Sequence, residues 1–274
     1  MIRLLILDVE GVLTLPGGGQ HPWPLADLLH VRTALQAAPF ATVLCTGRQQ
    51  PYGEAVIQAL DLFSPLSPEE REQVRAAGGP ELLSWPSIVE NGAYFYDPLA
   101  KRALPHPALT PERIQRLQRL KAEVLLPLAA ETGAVIEAGK DLSISLNPPP
   151  LAPGGSERQA TAAFRPVVEA ALAAYAGEIE IKHSHSAIDI TPRGVSKASA
   201  VRLLMQWTGL RPEEVVGVGD TRADEEWLAE VGWRAAPANG REALPDLHYY
   251  APREVAAGLL DILARLRAQG FQRL

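Results

Sequence analysis

The stretch RLLILDVEGVLT, residues 3–14, decides the fold. Its apolar run ends at Asp8 and is followed by Gly11, so a strand is followed at once by a turn. An apolar run without alternation is typical of a central parallel strand that is covered on both faces. Two later stretches have the same form, ATVLCT at residues 41–46 and VVGVG at residues 215–219. We therefore predict three parallel strands with polar side chains at their carboxyl ends.

An amphipathic stretch at residues 25–37 separates the first two of these strands and has the period of a helix. Strand, helix and strand at this spacing form a βαβ unit with a right-handed crossover. Residues 87–89, 233–236 and 248–250 have the pattern of shorter strands, and residues 254–268 have that of a closing helix. The predicted fold class is α/β, with a doubly wound parallel sheet as the core.

The middle of the chain has a different pattern. Two helical stretches are each followed by a pair of strand-like stretches: residues 110–131, then 134–137 and 142–146, and residues 157–175, then 179–183 and 187–190. The order αββαββ is typical of an antiparallel sheet with helices on one face. We therefore expect an inserted α+β cap domain at residues 98–185, between the two parts of the core at residues 1–97 and 186–274.

Composition excludes several classes of function. The 274-residue chain is 47% apolar with a formal net charge of −6, which is typical of a globular protein and argues against a nucleic acid or an anionic membrane as partner. The single cysteine, Cys45, excludes an internal disulfide, and no apolar run reaches the ~18–20 residues of a membrane span. We expect a cytoplasmic protein, and the sequence leaves its oligomeric state open.

Polar side chains follow each of the three predicted strands: Asp8 with Glu10, Thr46 with Gly47 and Arg48, and Asp220 with Asp224. In open α/β sheets, ligands bind at the carboxyl ends of the strands. Carboxylates gathered there repel one another, and protonation or a hard divalent cation such as Mg²⁺ relieves the repulsion. Lys197, one of five lysines among 26 basic residues, adds positive charge. A carboxylate nucleophile, a metal, a lysine and a hydroxyl are what phosphoryl transfer requires.

Four motifs resemble those of the haloacid dehalogenase-like phosphatases. DVEGVLT at residues 8–14 is similar to their first motif, Asp-x-Asp-Gly-x-x-Thr, and TGR at residues 46–48 to their second. Lys197 matches the third, and GDTRAD at residues 219–224 matches the fourth, Gly-Asp-x-x-x-Asp. The segments at residues 89–97 and 190–197 and the αββαββ order resemble the Cof-like branch with a type-two cap. Its members include sucrose-phosphate phosphatase, mannosyl-3-phosphoglycerate phosphatase and phosphomannomutase.

The resemblance implies a set of catalytic and metal-binding roles. Asp8 would be the nucleophile that forms an aspartyl-phosphate, and Glu10 the general acid and base. Thr46 and Lys197 would hold the phosphoryl oxygens. Mg²⁺ would be bound by Asp8, the backbone carbonyl of Glu10 and Asp220, with Asp224 nearby. Glu10 departs from the usual aspartate by one methylene, although the enolase-phosphatase branch also has Asp-x-Glu-Gly.

Candidates for substrate binding are Gly47, Arg48, Asn91, His183 and His185. A structural role is an equal alternative for Arg48, which could form the wall of the crevice, and for Asn91, which precedes Gly92 in a tight turn. The two histidines share one face of a predicted hairpin by the strand period of two, and a surface position is the alternative for both. Lys140 and Lys182 are weaker candidates in the same region.

The expected function is a Mg²⁺-dependent phosphatase that hydrolyses a small phosphorylated metabolite, with a sugar phosphate as the favoured substrate. Two alternatives stay open. One is a phosphomannomutase-like mutase that returns the phosphoryl group to another hydroxyl. The other is a binding or regulatory protein that kept the fold but lost turnover through Glu10.

Overall fold

The computed structural model describes residues 1–16, 21–149, 155–184 and 186–272. The strands in these ranges are β1 (Leu4–Leu7), β2 (Ala41–Leu44), β3 (Ser87–Val89), β4 (Tyr94–Asp97), β5 (Arg102–Pro105), β6 (Val135–Ile136), β7 (Ile144–Asn147), β8 (Ile179–His183), β9 (Ile188–Pro192), β10 (Val215–Val218), β11 (Trp233–Ala236) and β12 (Tyr249–Tyr250). The α-helices there are α1 (Leu25–Gln36), α2 (Gln50–Leu60), α3 (Pro68–Ala76), α4 (Pro111–Leu120), α5 (Leu126–Thr132), α6 (Glu157–Ala171), α7 (Lys197–Thr208), α8 (Glu225–Leu228) and α9 (Val255–Ala268). Within the described ranges, every helix is too short or too polar to cross a bilayer.

The central sheet has the strand order β12-β11-β10-β1-β2, and all neighbouring strands are parallel. The four residues of β1 are fully buried because the strand lies in the middle of the sheet. Leu5 and Leu7 pack into the hydrophobic core on one face, and Leu4 and Ile6 into the core on the other. The three predicted parallel strands are therefore neighbours, and their carboxyl ends meet at one edge.

Helices cover both faces of this sheet. The face that holds Leu5 packs against α1, α2 and α9, and the opposite face packs against α3 and α7. The prediction of a doubly wound α/β core is thus confirmed. A small antiparallel sheet, β3-β4-β5, extends the core beside β2 through a bridge between Cys45 and Ile88. The expected cap boundary at residue 98 falls inside the turn between β4 and β5, so both strands of that hairpin lie on the core side.

The second unit is an antiparallel sheet of order β6-β7-β9-β8, with α4, α5 and α6 on one face. The order of its elements is the predicted αββαββ, and the predicted helix at residues 110–131 consists of α4, a π-helical turn at 121–125 and α5. Because β9 pairs with both β7 and β8, the expected boundary after residue 185 falls inside a hairpin. We use "the cap" below for residues 110–192, the range that strand pairing defines.

The cap sheet has one apolar and one polar face, as its alternating strands require. Ile144, Leu146 and Ile190 belong to the cap's own hydrophobic core beneath the helices. Ser145 and Asp189 lie on the opposite face, and their side chains are hydrogen-bonded to each other. This polar face is turned towards the carboxyl ends of β1, β2 and β10, because it lines the same cavity as the residues that follow those strands.

Glu90 attaches the cap to the end of β3. Glu90 and the next residue, Asn91, have φ of 50° and 57°, in the left-handed region that side chains larger than glycine rarely adopt. The buried carboxylate of Glu90 accepts hydrogen bonds from three successive backbone N–H groups of the cap, those of Asp141 at 3.1 Å, Leu142 at 2.9 Å and Ser143 at 3.2 Å. Burial raises the pKa of Glu90, although these hydrogen bonds oppose the shift.

We predict that Glu90→Ala lowers the free energy of unfolding by about 3 kcal/mol, because three N–H groups lose their acceptor and two of them, those of Leu142 and Ser143, are buried. Denaturant titration of the two proteins measures the difference. The matched control is Glu131→Ala in α5, which removes an exposed carboxylate and should change stability by less than about 0.5 kcal/mol. Equal effects of the two substitutions would contradict the role given to Glu90.

Candidate active site

Three buried carboxylates meet where β1 and β10 end. Asp8 follows β1, Asp220 follows β10, and Asp224 lies one helical turn further on. Each residue contributes one carboxylate oxygen, and these three oxygens all lie within 4.8 Å of one another. All three residues are at most 6% exposed. In such a place each ionised group strongly disfavours ionisation of the next.

Lys197 neutralises part of this charge. It is the first residue of α7, and its Nζ donates hydrogen bonds to Asp8 Oδ1 at 3.0 Å and to Asp224 Oδ1 at 2.7 Å. Burial alone would lower the pKa of Lys197, but the charges of Asp224 and Asp8 outweigh it and raise the pKa well above its usual value. Lys197 is therefore a cation between the two carboxylates.

Asp224 is surrounded by donors from the protein. Its Oδ2 accepts hydrogen bonds from the backbone N–H of Asp220 at 3.2 Å and from the N–H and hydroxyl of Thr221. Its Oδ1 accepts from Trp227 Nε1 at 2.9 Å as well as from Lys197. Burial acts to raise the pKa of Asp224, but Lys197 and the hydrogen bonds lower it overall. Because both oxygens already have at least two donors, the geometry suits Asp224 to fixing Lys197 and the loop rather than to direct metal contact.

Asp220 has fewer hydrogen-bond partners than Asp224. Its Oδ2 accepts a hydrogen bond from Asn239 Nδ2 at 3.1 Å, but its buried Oδ1 has no hydrogen-bond partner among the described residues. Burial, followed by the charges of Asp224 and Asp8, raises the pKa of Asp220 well above its usual value. Buried polar atoms in proteins are nearly always paired, so an unpaired carboxylate oxygen in an acidic cluster fits a cation. Sequence reasoning missed Asn239, which no motif marks.

Asp8 has an intermediate environment. Burial, and then the charge of Asp224, raises its pKa from 3.8 to about 7, against the opposing effect of Lys197. Three carboxylates facing one ammonium leave an excess of negative charge when all are ionised. The set of hard oxygen donors around Asp8 and Asp220 is therefore suited to a hard divalent cation.

Thr46, Gly47 and Asn91 form the wall beside Asp8. The Thr46 hydroxyl is buried and accepts a hydrogen bond from Arg48 N–H at 3.1 Å, while its backbone carbonyl accepts one from Asn91 N–H. A Cβ on residue 47 would lie 2.8 Å from Asn91 Oδ1, so glycine is needed for this close approach. The Asn91 Nδ2 is buried without a partner among the described residues and is available as a donor.

Arg48 forms part of the wall and bridges two glutamates. Its Nη2 donates to Glu10 Oε1 at 2.9 Å and its Nη1 to Glu137 Oε1 of the cap at 2.7 Å. The guanidinium also lies 4.8 Å from the centre of the Tyr52 ring, at cation–π distance. These contacts correspond to the wall role that the sequence left open for Arg48.

The cap supplies residues that sequence reasoning missed or ranked low. Lys140 Nζ lies 2.7 Å from Glu137 Oε2 and donates a hydrogen bond to Ser145 Oγ. Ser145 in turn donates to Asp189. The cavity between cap and core has a volume of about 200 Å³, and its lining includes all four of these residues together with Asp8, Thr46, Asn91, Lys197 and Asp220. In the sequence, Ser145 and Asn147 could have been found from their alternation with apolar residues in β7.

His183 is not among the described residues that line this cavity. His183 lies exposed at the end of β8, with its Nδ1 3.3 Å from Arg165 Nη1 of α6. By the strand period it shares a face with Ile179 and Ile181, the face that packs against the cap helices. His185 lies outside the described residues. Lys182, on the other face of β8, pairs with Glu226 of the core at 2.5 Å.

A parallel α/β core with buried carboxylates at its strand ends, covered by an antiparallel α+β cap, also occurs in other proteins. The family model for haloacid dehalogenase-like hydrolases matches residues 162–250. The phosphoglycolate phosphatase of Sulfolobus acidocaldarius is 40% identical over 74 residues, which is 27% of this chain and 33% of that protein. The chain thus spans about a third of the length of the curated relatives that it matches.

Solved structures are similar over the whole length. A Thermoplasma acidophilum protein superposes with a TM-score of 0.67 at 17% identity, covering 97% of this chain and 99% of that one. The sucrose-phosphatase of Synechocystis, solved with sucrose and phosphate, has a TM-score of 0.60 at 15% identity, covering 97% and 99%. The match at residues 162–250 agrees with the resemblance that the sequence predicted, and the likeness to the solved structures shows a shared fold.

We predict that Gly11→Ala destabilises the protein by at least about 2 kcal/mol more than Gly78→Ala. Both glycines have left-handed φ, +76° and +73°, so both substitutions add the same backbone strain. A Cβ at Gly11 would lie 1.8 Å from Asp220 Oδ2, whereas nothing lies within 4 Å of one at Gly78. Denaturant titration compares the variants, and equal losses would mean that Gly11 is not held against Asp220.

We predict that Asp8→Asn stabilises the metal-free protein at pH 8. The pKa of Asp8 is about 7 in the folded protein, against its ordinary value of 3.8, so the folded state binds this proton more tightly than the unfolded state. The free energy of unfolding of the wild type therefore falls as the pH rises from 3.8 to about 7. The variant should gain about 2–4 kcal/mol above pH 7 and progressively less towards pH 4. Denaturation in EDTA over this pH range measures the gain, and a pH-independent difference would contradict it.

Proposed function

We propose that this chain is a Mg²⁺-dependent phosphatase that hydrolyses a phosphorylated sugar or a similar polyol through an aspartyl-phosphate intermediate. The observation that carries the proposal is the buried cluster of Asp8, Asp220 and Lys197, in which Asp220 Oδ1 has no partner among the described residues. The cluster opens into the cavity beneath the polar face of the cap. The family match and the phosphatase names of the relatives support the same reaction class.

Mg²⁺ suits this donor set, because it is usually bound by one or two carboxylates together with water and substrate phosphate. Asp8, Asp220 and the backbone carbonyl of Glu10 would hold it, with Asp224 supporting the loop from behind. When bound, the ion offsets the negative charge of the carboxylates and of the incoming phosphate. A carboxylate cluster without such compensation would repel a phosphate dianion.

In the first step, Asp8 attacks phosphorus with the carboxylate oxygen that Lys197 does not hold. A bond forms between this oxygen and phosphorus while the bond from phosphorus to the leaving oxygen breaks. The ammonium of Lys197, the hydroxyl of Thr46 and the side-chain amide of Asn91 would donate hydrogen bonds to the phosphoryl oxygens, and all three line the cavity. Glu10 gives a proton to the leaving oxygen, so that the product departs as a neutral alcohol.

In the second step, Glu10 takes a proton from water, and the resulting hydroxide attacks phosphorus. The bond to Asp8 breaks, phosphate is released, and the carboxylate is regenerated. Closing the cap over the cavity would keep other water out while the aspartyl-phosphate exists. We propose the division of the chain into core and cap on this functional ground, with the cap at residues 110–192.

The walls of the cavity favour a neutral leaving group with hydroxyls. Ser145, Asn147 and Asp189 supply hydroxyl, amide and carboxylate groups from the cap. Arg48 of the core and Lys140 of the cap are the two described cations on the side of the cavity that faces the cap. Both are already paired with carboxylates. A phosphorylated acid such as phosphoglycolate would therefore find no uncompensated cation for its carboxylate there. The likeness in fold to a sucrose-phosphatase supports a sugar.

We predict that the purified protein releases phosphate from sugar phosphates in Mg²⁺, with higher kcat/KM than for phosphoglycolate, and that EDTA abolishes release. Asp8→Asn should lower the rate by at least about 10⁴-fold, because the nucleophile is lost. The control Asp246→Asn changes an exposed carboxyl with φ of 62° and should keep full activity.

A panel of phosphorylated metabolites, assayed for free phosphate and for isomerised product, distinguishes the possibilities. Phosphate release by Asp8→Asn at the wild-type rate would exclude the proposed nucleophile. Isomerised hexose phosphate in place of free phosphate would indicate a mutase. Binding of sugar phosphates without any turnover would indicate a regulatory protein.

A further inference from the structure

A row of paired charges connects the cap to Glu10. Glu10 on the core pairs with Arg48 at 2.9 Å, Arg48 pairs with Glu137 of the cap at 2.7 Å, and Glu137 pairs with Lys140 at 2.7 Å. Along this row the side chains are 32% exposed for Glu10, 8% for Arg48, 18% for Glu137 and 4% for Lys140. Pairs this well buried are screened little by water, so each depends on its neighbour.

Arg48 needs Glu137 to hold its position. The guanidinium has two nitrogens with carboxylate partners, and its buried Nε has no partner among the described residues. Glu137 is itself fixed, because its Oε2 pairs with Lys140 while its Oε1 receives Arg48. Although burial acts to raise the pKa of Glu137, Lys140 and Arg48 lower it overall, so that Glu137 stays ionised. Without Glu137, a buried guanidinium would lose half of its charge compensation.

Glu10 in turn needs support that an aspartate would not. The glutamate side chain has one more rotatable bond than the aspartate usual at this place, so more conformations compete with the reactive one. A displacement of about 1 Å in a catalytic group is enough to cost orders of magnitude in rate. The hydrogen bond from Arg48 restricts Glu10, and it is the cap that places Arg48.

We propose that Glu137 is a positioning residue for the general acid: through Arg48 it sets the carboxyl of Glu10 towards the leaving oxygen. This inference rests on the proposed function, because it requires Glu10 to protonate the leaving group. It assigns to the cap a contribution to the chemical step itself, made by a residue that reaches the reacting atoms only through two others.

The test uses two aryl phosphates of similar shape, phenyl phosphate and p-nitrophenyl phosphate. Phenol is a far weaker acid than p-nitrophenol, so its departure depends on protonation, whereas p-nitrophenolate leaves without it. The ratio kcat/KM reports only the steps up to loss of the leaving group, before hydrolysis of the aspartyl-phosphate. Neither substrate has the hydroxyls by which a cap residue would recognise a sugar.

We expect Glu137→Gln to lower kcat/KM at least ~10-fold for phenyl phosphate and less than ~3-fold for p-nitrophenyl phosphate. In a Glu10→Gln background, adding Glu137→Gln should not change kcat/KM further for either substrate, because Glu137 acts through Glu10. The matched control is Glu178→Gln, which removes a cap carboxylate paired with exposed Arg116 and should change neither substrate.

Equal losses for the two substrates would overturn the inference, since they would mark Glu137 as merely structural or as a binding residue. A further loss in the Glu10→Gln background would do the same. In both cases the wild-type enzyme still releases phosphate, so the proposed function stands. A wild-type protein inactive towards both aryl phosphates and the sugar-phosphate panel would overturn the function and the inference together.

Discussion

Three carboxylates share one buried corner at the ends of β1 and β10, and their mutual repulsion constrains everything around them. Each ionised group there costs several kcal/mol unless it is compensated. The fold compensates these charges unequally. Asp224 accepts five hydrogen bonds and Asp8 shares Lys197, whereas Asp220 Oδ1 has no partner in the part of the chain that the structure describes. The corner therefore favours an added cation, and the raised pKa values of Asp8 and Asp220 have the same origin.

Two carboxylates, those of Glu90 and Glu137, connect the cap to the core near this corner. Glu90 of the core accepts three backbone N–H groups of the cap, which fixes the turn at residues 141–143 next to Lys140. Glu137 of the cap pairs with Arg48, which belongs to the core. The contact of Glu90 is made to backbone groups and holds the cap in position. The contact of Glu137 with Arg48 is made between charged side chains and depends on their ionisation. Together they bring the polar face of the cap sheet over the strand ends.

Local patterns identified the strands and helices but not always their partners. The period of two puts His183 on the same face of β8 as Ile179 and Ile181, and that face packs against the cap helices. Which face of a sheet meets a second domain depends on the helices that cover the other one, and this is a long-range choice. The expected cap boundary at residue 98 falls inside a hairpin because the pairing of β4 with β5 is not visible in a single strand. The expected boundary after residue 185 divides the predicted hairpin of β8 and β9, whose strands pair in one sheet.

The sequence by itself determined the class of fold and the acidic residues of the site. An apolar run that ends in an acid and a glycine is nearly sufficient for a buried parallel strand with a polar end, since burial on both faces imposes the composition. Only the tertiary structure decided which oxygen of Asp220 stays unpaired, that Asn239 supports it, and that Arg48 lies between Glu10 and Glu137. These contacts join residues up to 228 positions apart, as between Gly11 and Asn239, and their distances follow from packing rather than from any local pattern.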